Sequence, residues 1–305
     1  MKATITNKVF YESIPSASGI EVVGDAIFVI GDDSPYLYQL NKKFEQTAKH
    51  ALADVKGFES GRVAKDEKMD LESIAAFERK GKPYLLILGS GASEARMKAF
   101  VVEFSAEGSV DAIVSYSVEK LYKQLQENEQ VVGKGLLNIE GATVENGKLY
   151  LMHRAVAKEP NVLLEYDLEE FMNALKGDAA VPKPVVYHYD LSEIEGYQAG
   201  FSGADIFDNK LFFTASVEQT EDAIADGEVL GSYLGFIELD AIERSDKATS
   251  PHSALIVSDN GSTFKGKAES LVVSAGDAPD TYKVLVVTDD DQGHSELLEV
   301  MFKIE

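Results

Sequence analysis

A short signature recurs five times along the sequence and constrains the fold more than any other feature. Each copy begins with an oxygen-bearing residue and continues with one small and one apolar residue, before an apolar run. The copies are Ser18-Gly19-Ile20, Glu72-Ser73-Ile74, Glu140-Gly141-Ala142, Ser202-Gly203-Ala204 and Glu269-Ser270-Leu271. Their lead residues lie 54, 68, 62 and 67 positions apart, and closing the circle through the termini adds 54. Repeats of this length are typical of a propeller or a solenoid and argue against independent domains.

The segments between the signatures predict further strands. A short apolar run, too short for a core helix, follows each signature and is interpreted as a buried second strand. These runs cover residues 26–30, 84–88, 149–152, 211–213 and 284–287. Third strands are expected at 36–40, 99–104, 162–168, 233–239 and 297–304, and fourth strands at 112–116, 185–189 and 254–257. Helical spacing predicts two inserted helices, at 118–129 and 168–176.

Together these patterns predict an all-β protein that forms a single domain over residues 1–305. We expect a five-bladed β-propeller with four-stranded blades. The circle needs a closing strand, which residues 5–11 can provide by pairing beside the C-terminal strand. We expect this protein to be a monomer.

The formal net charge of −23 limits the partners of the chain. This charge argues against nucleic acid as a partner, because phosphate binding needs clustered Lys and Arg, and no basic stripe occurs. Anionic membranes are disfavoured for the same reason, and no apolar run approaches the roughly 20 residues of a membrane span. A small-molecule ligand remains compatible with the sequence.

The chain contains no cysteine, so disulfides and thiolate metal sites are excluded. No signal peptide is recognised after Met1. The expected location is therefore the cytoplasm by default, or the periplasm or exterior if a signal peptide was trimmed.

The lead residues of the signature predict a metal site. In a propeller the first strand of each blade lines the central channel, so Ser18, Glu72, Glu140, Ser202 and Glu269 should converge. Three carboxylates in a narrow channel repel one another, which raises their pKa values or requires a cation. Oxygen ligands of mixed charge suit Ca²⁺, whereas Zn²⁺ prefers nitrogen or sulfur. The alternative is a water-filled channel whose polar residues satisfy strand ends.

Loops after the second strands carry the candidate catalytic and ligand-binding residues. Beside a calcium ion, Asp32 or His153 could act as a general base while Arg96 or Arg154 holds an anion. Further ligand-binding candidates are Asp33, Arg96, Asp290 and His294. Each has a structural alternative: the Asp clusters at 32–33 and 289–291 suit Asx turns, and His153-Arg154 suits a structural ion pair. The acidic loop at 221–228 lacks the ligand spacing of a calcium loop.

Several of these motifs resemble an uncharacterised family of single-domain bacterial propellers. The likeness runs through Ser16-Ala17-Ser18-Gly19, Leu71-Glu72-Ser73-Ile74, Asn138-Ile139-Glu140-Gly141-Ala142 and Asp226-Gly227-Glu228-Val229-Leu230-Gly231-Ser232. It covers nearly all of the chain. This resemblance implies the propeller fold and no established activity.

The ring order Ser, Glu, Glu, Ser, Glu also resembles the calcium-activated nucleotidases (apyrases), five-bladed propellers with a central calcium. The likeness extends to Phe201-Ser202, Lys267-Ala268-Glu269-Ser270 and Asp32-Asp33. It implies that the five lead residues form the calcium shell. Two departures concern the phosphate-clamping arginines: Ser34 and His153 stand where that family carries Arg.

Esterase-like phytase and lactonase-type propellers have related calcium sites, so a phosphoester or a lactone is an equal expectation for the substrate. Two functions of different class follow from the sequence. The first is a calcium-dependent hydrolase of a phosphorylated or ester substrate. The second is a non-catalytic propeller in which the metal is structural and the loop face binds a ligand or a protein.

Overall fold

The described chain consists mainly of antiparallel β-strands. The computed structural model describes residues 1–54, 62–64, 67–155, 159–220, 227–243, 247–290 and 292–304. The first strands are β1 (Lys2–Tyr11), β2 (Ala17–Val23), β3 (Ala26–Gly31), β4 (Tyr36–Leu40), β5 (Gln46–Ala51), β6 (Leu71–Arg79), β7 (Lys82–Gly89), β8 (Lys98–Phe104), β9 (Val110–Ser117), β10 (Ile139–Glu145), β11 (Lys148–His153) and β12 (Asn161–Asp167). They continue with β13 (Val185–Tyr189), β14 (Glu193–Ile194), β15 (Tyr197–Gln198), β16 (Gly200–Phe207), β17 (Lys210–Glu218), β18 (Val229–Glu238), β19 (His252–Val257), β20 (Lys267–Ala275), β21 (Thr281–Asp289) and β22 (Ser295–Lys303).

The strands form separate sheets in sequence order. Strands β2 to β5, β6 to β9 and β10 to β13 each build a four-stranded sheet, and β14 pairs with β15. The remaining strands form an eight-stranded sheet of order β16-β17-β18-β19-β1-β22-β21-β20. Its two halves meet where β19 and β1 pair in parallel, through Ala3 with Ile256 and Thr4 with Val257.

Five strands that carry the signature line the centre of the molecule. These inner strands are β2, β6, β10, β16 and β20, and each lies at one end of its sheet order. They pack side by side in the closed circle β2-β6-β10-β16-β20-β2. One edge of each inner strand pairs with the second strand of its sheet, while the other edge has no ladder partner among the described residues. The architecture is therefore all-β and propeller-like.

The apolar second strands are buried on both faces because a sheet lies on either side of them. In β7, Leu86 and Leu88 pack with residues of β10 to β12, whereas Leu85 and Ile87 pack with residues of β3 and β4. Strands covered on both faces lose the apolar and polar alternation of half-exposed strands. This explains why the sequence shows nearly unbroken apolar runs at these positions.

Three helices of the described chain pack against the second and third sheets. They are α1 (Glu119–Gln126), α2 (Glu129–Val132) and α3 (Leu168–Leu175). Tyr122 of α1 and Phe171 of α3 are fully buried in the same apolar cluster as the β10 to β12 residues. The Asp167 side chain accepts a hydrogen bond from the Glu170 N–H, so it caps the first turn of α3.

On β12, β18 and β22, a polar side chain near the start of the strand forms two hydrogen bonds with the backbone at the start of the next inner strand. This pair of bonds is called the clamp below. The Asn161 amide contacts the Ala199 carbonyl and the Phe201 N–H, which precede Ser202. The hydroxyls of Ser232 and Ser295 likewise each donate to one backbone carbonyl and accept one backbone N–H. Ser232 bonds Gly266 and Ala268, and Ser295 bonds Ile14 and Ala17. These hydrogen bonds were not predicted from the sequence.

The predicted strands agree closely with the structure. All five predicted second strands lie within β3, β7, β11, β17 and β21, and the two predicted helices contain α1 and α3. Helix α2 was not predicted, because it begins at Glu129, where the first predicted helix ends. The N-terminal strand pairs with the C-terminal strand as expected, with Val9 opposite Leu297. Strand β5 was not predicted because its six residues are polar or alanine and none of them is buried. In the described part of the chain, no helix has the length and apolar character required to cross a membrane.

Candidate functional site

Every lead residue of the signature is a bulged residue of an inner strand. The pairing between inner and second strand shifts at this position in all five sheets or sheet halves. In β2, for example, Ala17 lies opposite Gly31 and Gly19 opposite Ile30, so Ser18 has no opposite residue. A bulge redirects a side chain relative to the regular ladder. The repeated signature therefore presents one oxygen-bearing side chain at the same point of each inner strand.

The three glutamates of the ring converge. Carboxylate oxygens of Glu72, Glu140 and Glu269 lie within 4.8 Å of one another. Oxygens of Asp32, Asp70 and Glu72 meet the same limit, so Glu72 belongs to both groups. Like charges at such distances oppose ionisation of the whole group.

The two ring serines bond to the neighbouring inner strand. Ser18 Oγ donates to the Leu71 carbonyl, and Ser202 Oγ donates to the Ala268 carbonyl at 2.6 Å. Both acceptors immediately precede a ring glutamate on the next inner strand. These carbonyls belong to strands whose free edge lacks ladder partners, and buried backbone groups need a hydrogen bond. Each hydroxyl keeps acceptor lone pairs after donating its proton.

Close approach of the inner strands requires a small residue after the lead residue. A Cβ atom added to Gly203 would lie 2.6 Å from the Ser270 Cα and 2.7 Å from the backbone carbonyl oxygen of Glu269. Real Cβ contacts are longer than this, so a larger residue would push β16 away from β20. The small second residue of the signature is thus a packing requirement of the ring.

Basic side chains neutralise part of the ring. The ammonium of Lys267 lies 3.0 Å from a Glu269 oxygen and 3.5 Å from a Glu218 oxygen. The guanidinium of Arg154 lies 3.6 Å from Glu140 and 2.7 Å from the same Glu218 oxygen. Glu218 therefore bridges the two cations that accompany Glu140 and Glu269.

Glu72 has a different electrostatic environment from the other two ring glutamates. Burial raises its pKa well above the usual range, and the nearby charges with the largest further effect, on Asp70, Glu140, Asp32 and Glu269, are all negative. Burial also raises the pKa of Glu269 to about 8, although Lys267 opposes this shift. Glu72 is therefore the ring carboxylate with the greatest need of a positive charge.

A second layer of polar residues lies two positions before the lead residues. Asn138 donates to a Glu140 oxygen at 2.6 Å, and Lys267 pairs with Glu269. On β16 this position is Gly200, where an added Cβ would lie 2.6 Å from the Arg154 Cγ, so the arginine fills that space. Asp70, Asn138 and Lys267 were not predicted as site residues. Their fixed offset of two from the lead residue was the available signal.

The acidic pair predicted in the first loop forms an ionic cluster beside the ring. Lys68 bonds to Asp32 and lies 3.4 Å from Asp33 and 3.3 Å from Asp70. Burial raises the pKa of Asp32 to about 7, with Lys68 opposing and the neighbouring carboxylates adding to the shift. Oδ1 of Asp32 is buried and has no hydrogen-bond partner among the described residues.

Asp33 and Arg96 lie in the same ionic cluster. Asp33 accepts hydrogen bonds from Ser16 at 3.1 Å and from Arg62 at 2.6 Å. Arg96 pairs with Asp70 at 2.7 Å. Both predicted ligand-binding residues are therefore engaged by protein partners close to Glu72.

His153 and Arg154 are buried at the end of β11. The His153 ring is 2% exposed, and its Nδ1 lies 3.1 Å from the Asn138 backbone nitrogen. Burial lowers the pKa of His153 to about 4, so the ring is neutral at physiological pH. The Arg154 guanidinium lies beside the Glu140 carboxylate of the lead-residue ring. The His153 side chain instead accepts a hydrogen bond from the backbone N–H of Asn138, whose side chain donates to Glu140.

Asp290 and His294 form a pair in the loop between β21 and β22. His294 Nδ1 lies 2.9 Å from Asp290, which also accepts the backbone N–H groups of Gln292 and His294. These are the bonds of an Asx-type turn. The loop approaches the ionic cluster at Gly293, where an added Cβ would lie 3.1 Å from the Arg62 side chain. Asp291 and residues 221–226 of the acidic loop lie outside the described residues.

Comparison with known families identifies the chain. The model of a family of unknown function, DUF6929, matches residues 13–302. The chain belongs to this family. A search of curated proteins finds no match to the sequence.

Solved structures with a similar arrangement of strands share little sequence. One is the Cellvibrio cellulosa alpha-L-arabinanase complexed with arabinohexaose, at 10% identity and a TM-score of 0.47, covering 96% of this chain and 92% of that chain. Native Bacillus subtilis arabinanase Arb43A has 9% identity and a TM-score of 0.44, covering 97% and 96%. The tail fiber of Staphylococcus aureus phage P68 has 11% identity and a TM-score of 0.47, covering 100% and 53%. Likenesses at this level carry no information on activity.

Proposed function

We propose that this protein is a five-bladed β-propeller that binds one calcium ion at the ring and hydrolyses a small anionic ester. The five-blade count treats the eight-stranded sheet as two blades joined by the short parallel contact of β19 with β1. Support for the count comes from the five inner strands, which pack in a closed circle and carry one signature each.

The observation that carries the calcium proposal is the convergence of Glu72, Glu140 and Glu269 within 4.8 Å. Together with Ser18 and Ser202 they offer oxygen ligands only, which suits a hard cation that takes 6 to 8 oxygens. The serine hydroxyls donate to backbone carbonyls and keep lone pairs for a cation.

The charge balance of the site also favours a bound cation. Eight described carboxylates form one electrostatic network: Asp32, Asp33, Asp70, Glu72, Glu140, Glu218, Glu269 and Asp289. Five basic side chains belong to it: Arg62, Lys68, Arg96, Arg154 and Lys267. With every acid ionised, the carboxylates would outnumber the basic side chains by about three, and the raised pKa of Glu72 shows that full ionisation is opposed without a further cation. A divalent cation would offset most of this surplus.

For the hydrolytic reaction we assign Asp32 as the general base and Arg154 as the residue that holds the anionic group of the substrate. Asp32 has one oxygen free of hydrogen bonds within the described chain, and it lies in the same group as Glu72. His153 takes a positioning role, because its ring bonds the Asn138 backbone. Bound calcium would supply a Lewis acid for the substrate oxygen. Because the chain resembles apyrases, phytases and lactonases, we expect the substrate to be a phosphorylated compound or a lactone.

Metal content and affinity test the ring. Elemental analysis of purified protein should find about one calcium per chain. Isothermal titration of metal-free protein should detect calcium binding, weakened at least about tenfold in Glu72→Gln because one charged ligand is lost. Glu78→Gln is the matched control, since Glu78 lies on the same strand but is exposed. Absence of calcium binding by the wild-type protein at millimolar calcium would refute the proposal.

Turnover separates the hydrolase from the alternative. Calcium-loaded protein should cleave at least one member of a panel of nucleotides, phosphoesters and lactones, and chelator or Asp32→Asn should abolish this activity. The alternative is a non-catalytic propeller with a structural calcium, which is favoured by the existing ion pairs of Lys267 and Arg154. In that case the metallated protein hydrolyses nothing while chelation lowers its melting temperature.

A further inference from the structure

One carboxylate lies between the two basic side chains that accompany Glu140 and Glu269. Oε1 of Glu218 is 2.7 Å from the Arg154 guanidinium and 3.5 Å from the Lys267 ammonium. The backbone N–H of Gly227 also donates a hydrogen bond to this carboxylate. Arginine and lysine are the side chains that proteins use to bind carboxylate and phosphate groups. Glu218 therefore lies where the oxyanion group of a ligand would meet both cations.

The three side chains lie at strand ends on the same side of the ring. Glu218 ends β17, Arg154 follows the last residue of β11, and Lys267 begins β20. Antiparallel pairing of inner and second strands brings these ends together where the inner strands begin. The Glu218 side chain is 12% exposed and that of Lys267 is 19% exposed. The group is thus partly reachable from solvent.

Both cations have anchors other than Glu218. Arg154 Nη1 donates to Ser216 Oγ at 3.1 Å, and the arginine side chain fills the space beside Gly200. The Lys267 ammonium lies 3.0 Å from Glu269. These contacts hold the two positive groups in place without Glu218, and such preorganisation lowers the cost of binding an external anion.

Glu218 is held differently from the ring glutamates. The ring glutamates lie within inner strands, whereas Glu218 is the last residue of its strand. The pairing of β17 with β18 is also irregular there, since Val217 lies opposite Gly231 and Glu218 opposite Val229. Strand ends open more readily than the middle of a sheet. Glu218 is therefore the acid of this group that an incoming anion can replace.

We propose that Arg154 and Lys267 form an oxyanion subsite, that Glu218 occupies it in the unliganded protein, and that the anionic group of a ligand binds there by displacing Glu218. The inference rests on the proposed role of Arg154 as the holder of the substrate's anionic group. It adds Lys267 to the subsite and makes Glu218 the residue that controls entry.

The exchange keeps the local charges matched. Before it, the two cations face the carboxylates of Glu140, Glu269 and Glu218; after it, the ligand's oxyanion takes the place of Glu218. A neutral ligand would leave Glu218 in place, because it could not replace the charge that Arg154 and Lys267 lose. Glu218 thus selects ligands that carry a carboxylate or a phosphoryl group.

Isothermal titration of Glu218→Ala with sodium sulfate and with sodium acetate, in the presence of chelator, tests the subsite. The variant should bind at least one of these anions about tenfold more tightly than the wild-type protein, because no like charge competes for the cations. Glu238→Ala is the matched control: Glu238 ends the neighbouring strand β18 and lies 3.6 Å from the Lys210 ammonium. This control should keep the wild-type anion affinity.

Tighter binding of sulfate would support a subsite for tetrahedral phosphoryl groups, and tighter binding of acetate would support one for carboxylates. Equal anion affinity of Glu218→Ala and the wild-type protein would overturn the proposal.

A measurement on the unmodified protein covers the case in which Glu218→Ala does not fold. Sulfate or acetate at physiological ionic strength should shift the NMR signal of the Gly227 amide, because its acceptor Glu218 is displaced. The amide of Glu170, which donates to Asp167 at 2.9 Å on α3, should not shift. An unchanged Gly227 signal with both anions would overturn the proposal.

Calcium binding and turnover are measured separately from anion binding. Anion exchange without turnover would count against the hydrolase alone. Turnover without anion exchange would count against the displacement of Glu218 alone.

Discussion

Three glutamates at equivalent positions have unequal chemistry because their neighbours differ. Glu269 has Lys267 at 3.0 Å and Glu140 has Arg154 at 3.6 Å, whereas the charges that act most strongly on Glu72 are negative. The difference arises two residues upstream, where Lys267 precedes Glu269 and Asp70 precedes Glu72. A cation at the ring would therefore be held most tightly on the side of Glu72.

Replacing Lys267 by methionine should destabilise the protein strongly. The change removes the ammonium group that lies between the carboxylates of Glu269 and Glu218. Breaking a buried ion pair lowers the free energy of unfolding by about 3 kcal/mol. The loss should be larger at pH 8.5 than at pH 6, because burial raises the pKa of Glu269 to about 8 and the protonated group needs no partner. Urea unfolding at both pH values measures this effect.

The control for this change is Lys283→Met. Lys283 pairs with Asp277 at 2.7 Å on the exposed surface, where an ion pair contributes less than about 1 kcal/mol. Equal destabilisation by the two substitutions would show that the ring pair has no special importance.

Inner strands obtain their geometry from bulges and from side-chain bonds across the free edge. The bulge at each lead residue redirects an oxygen-bearing side chain, and the two serines among them bond to the neighbouring inner strand. The side chains of Asn161, Ser232 and Ser295 bond the residues at the start of β16, β20 and β2. These strands cannot pair with one another as a sheet, so side chains satisfy their exposed backbone groups. Side-chain hydrogen bonds to the backbone therefore hold the inner strands together in addition to apolar packing.

Substitution of Asn161 by alanine should weaken this arrangement. Asn161 is fully buried and bonds Ala155, Ala199 and Phe201, so its loss leaves several backbone groups unsatisfied. We expect a loss of about 2 to 3 kcal/mol in the free energy of unfolding. Ser109→Ala, in an exposed turn where the hydroxyl meets Ser105, should change stability by less than about 0.5 kcal/mol. A near-neutral Asn161→Ala would contradict a structural role for the clamp.

The molecule is closed by strands from opposite ends of the chain. Strand β1 is paired along its length with β22, from Lys2 opposite Lys303 to Tyr11 opposite Ser295, and also touches β19. Without β1, the edge of β22 would be exposed, and exposed edges promote association between chains. Closure of the whole ring thus depends on a contact between residues almost 300 positions apart.

Deletion of residues 2–11 should abolish cooperative unfolding and promote aggregation, measured by urea denaturation and gel filtration. A circular permutant is the matched control. Because Lys2 lies opposite Lys303, residues 2–11 can follow residue 305 through a short turn and form the same antiparallel pair. The permutant should unfold cooperatively at a urea concentration close to that of the wild-type protein. Cooperative unfolding of the deletion variant would show that β1 is dispensable.

Much of the fold was predictable because burial on both faces leaves a strong apolar signal. The second strands and β4 follow such runs, whereas β5 is polar, has no buried residue and left no signal. The convergence of Glu72, Glu140 and Glu269 was predictable from the period of the repeat. The role of calcium at this point remains a prediction.

The sequence by itself determined the repeat, the residue at each lead position and the surplus of negative charge. Tertiary structure decided which charges meet: Arg154 fills the space left by Gly200, Glu218 bridges it to Lys267, and Lys68 gathers the first-loop acids. These partners come from loops and strand ends of different sheets, and no spacing along the chain encodes their distances. Electrostatic energies depend on such distances and on burial, so only the folded ring makes Glu72 differ from Glu140 and Glu269.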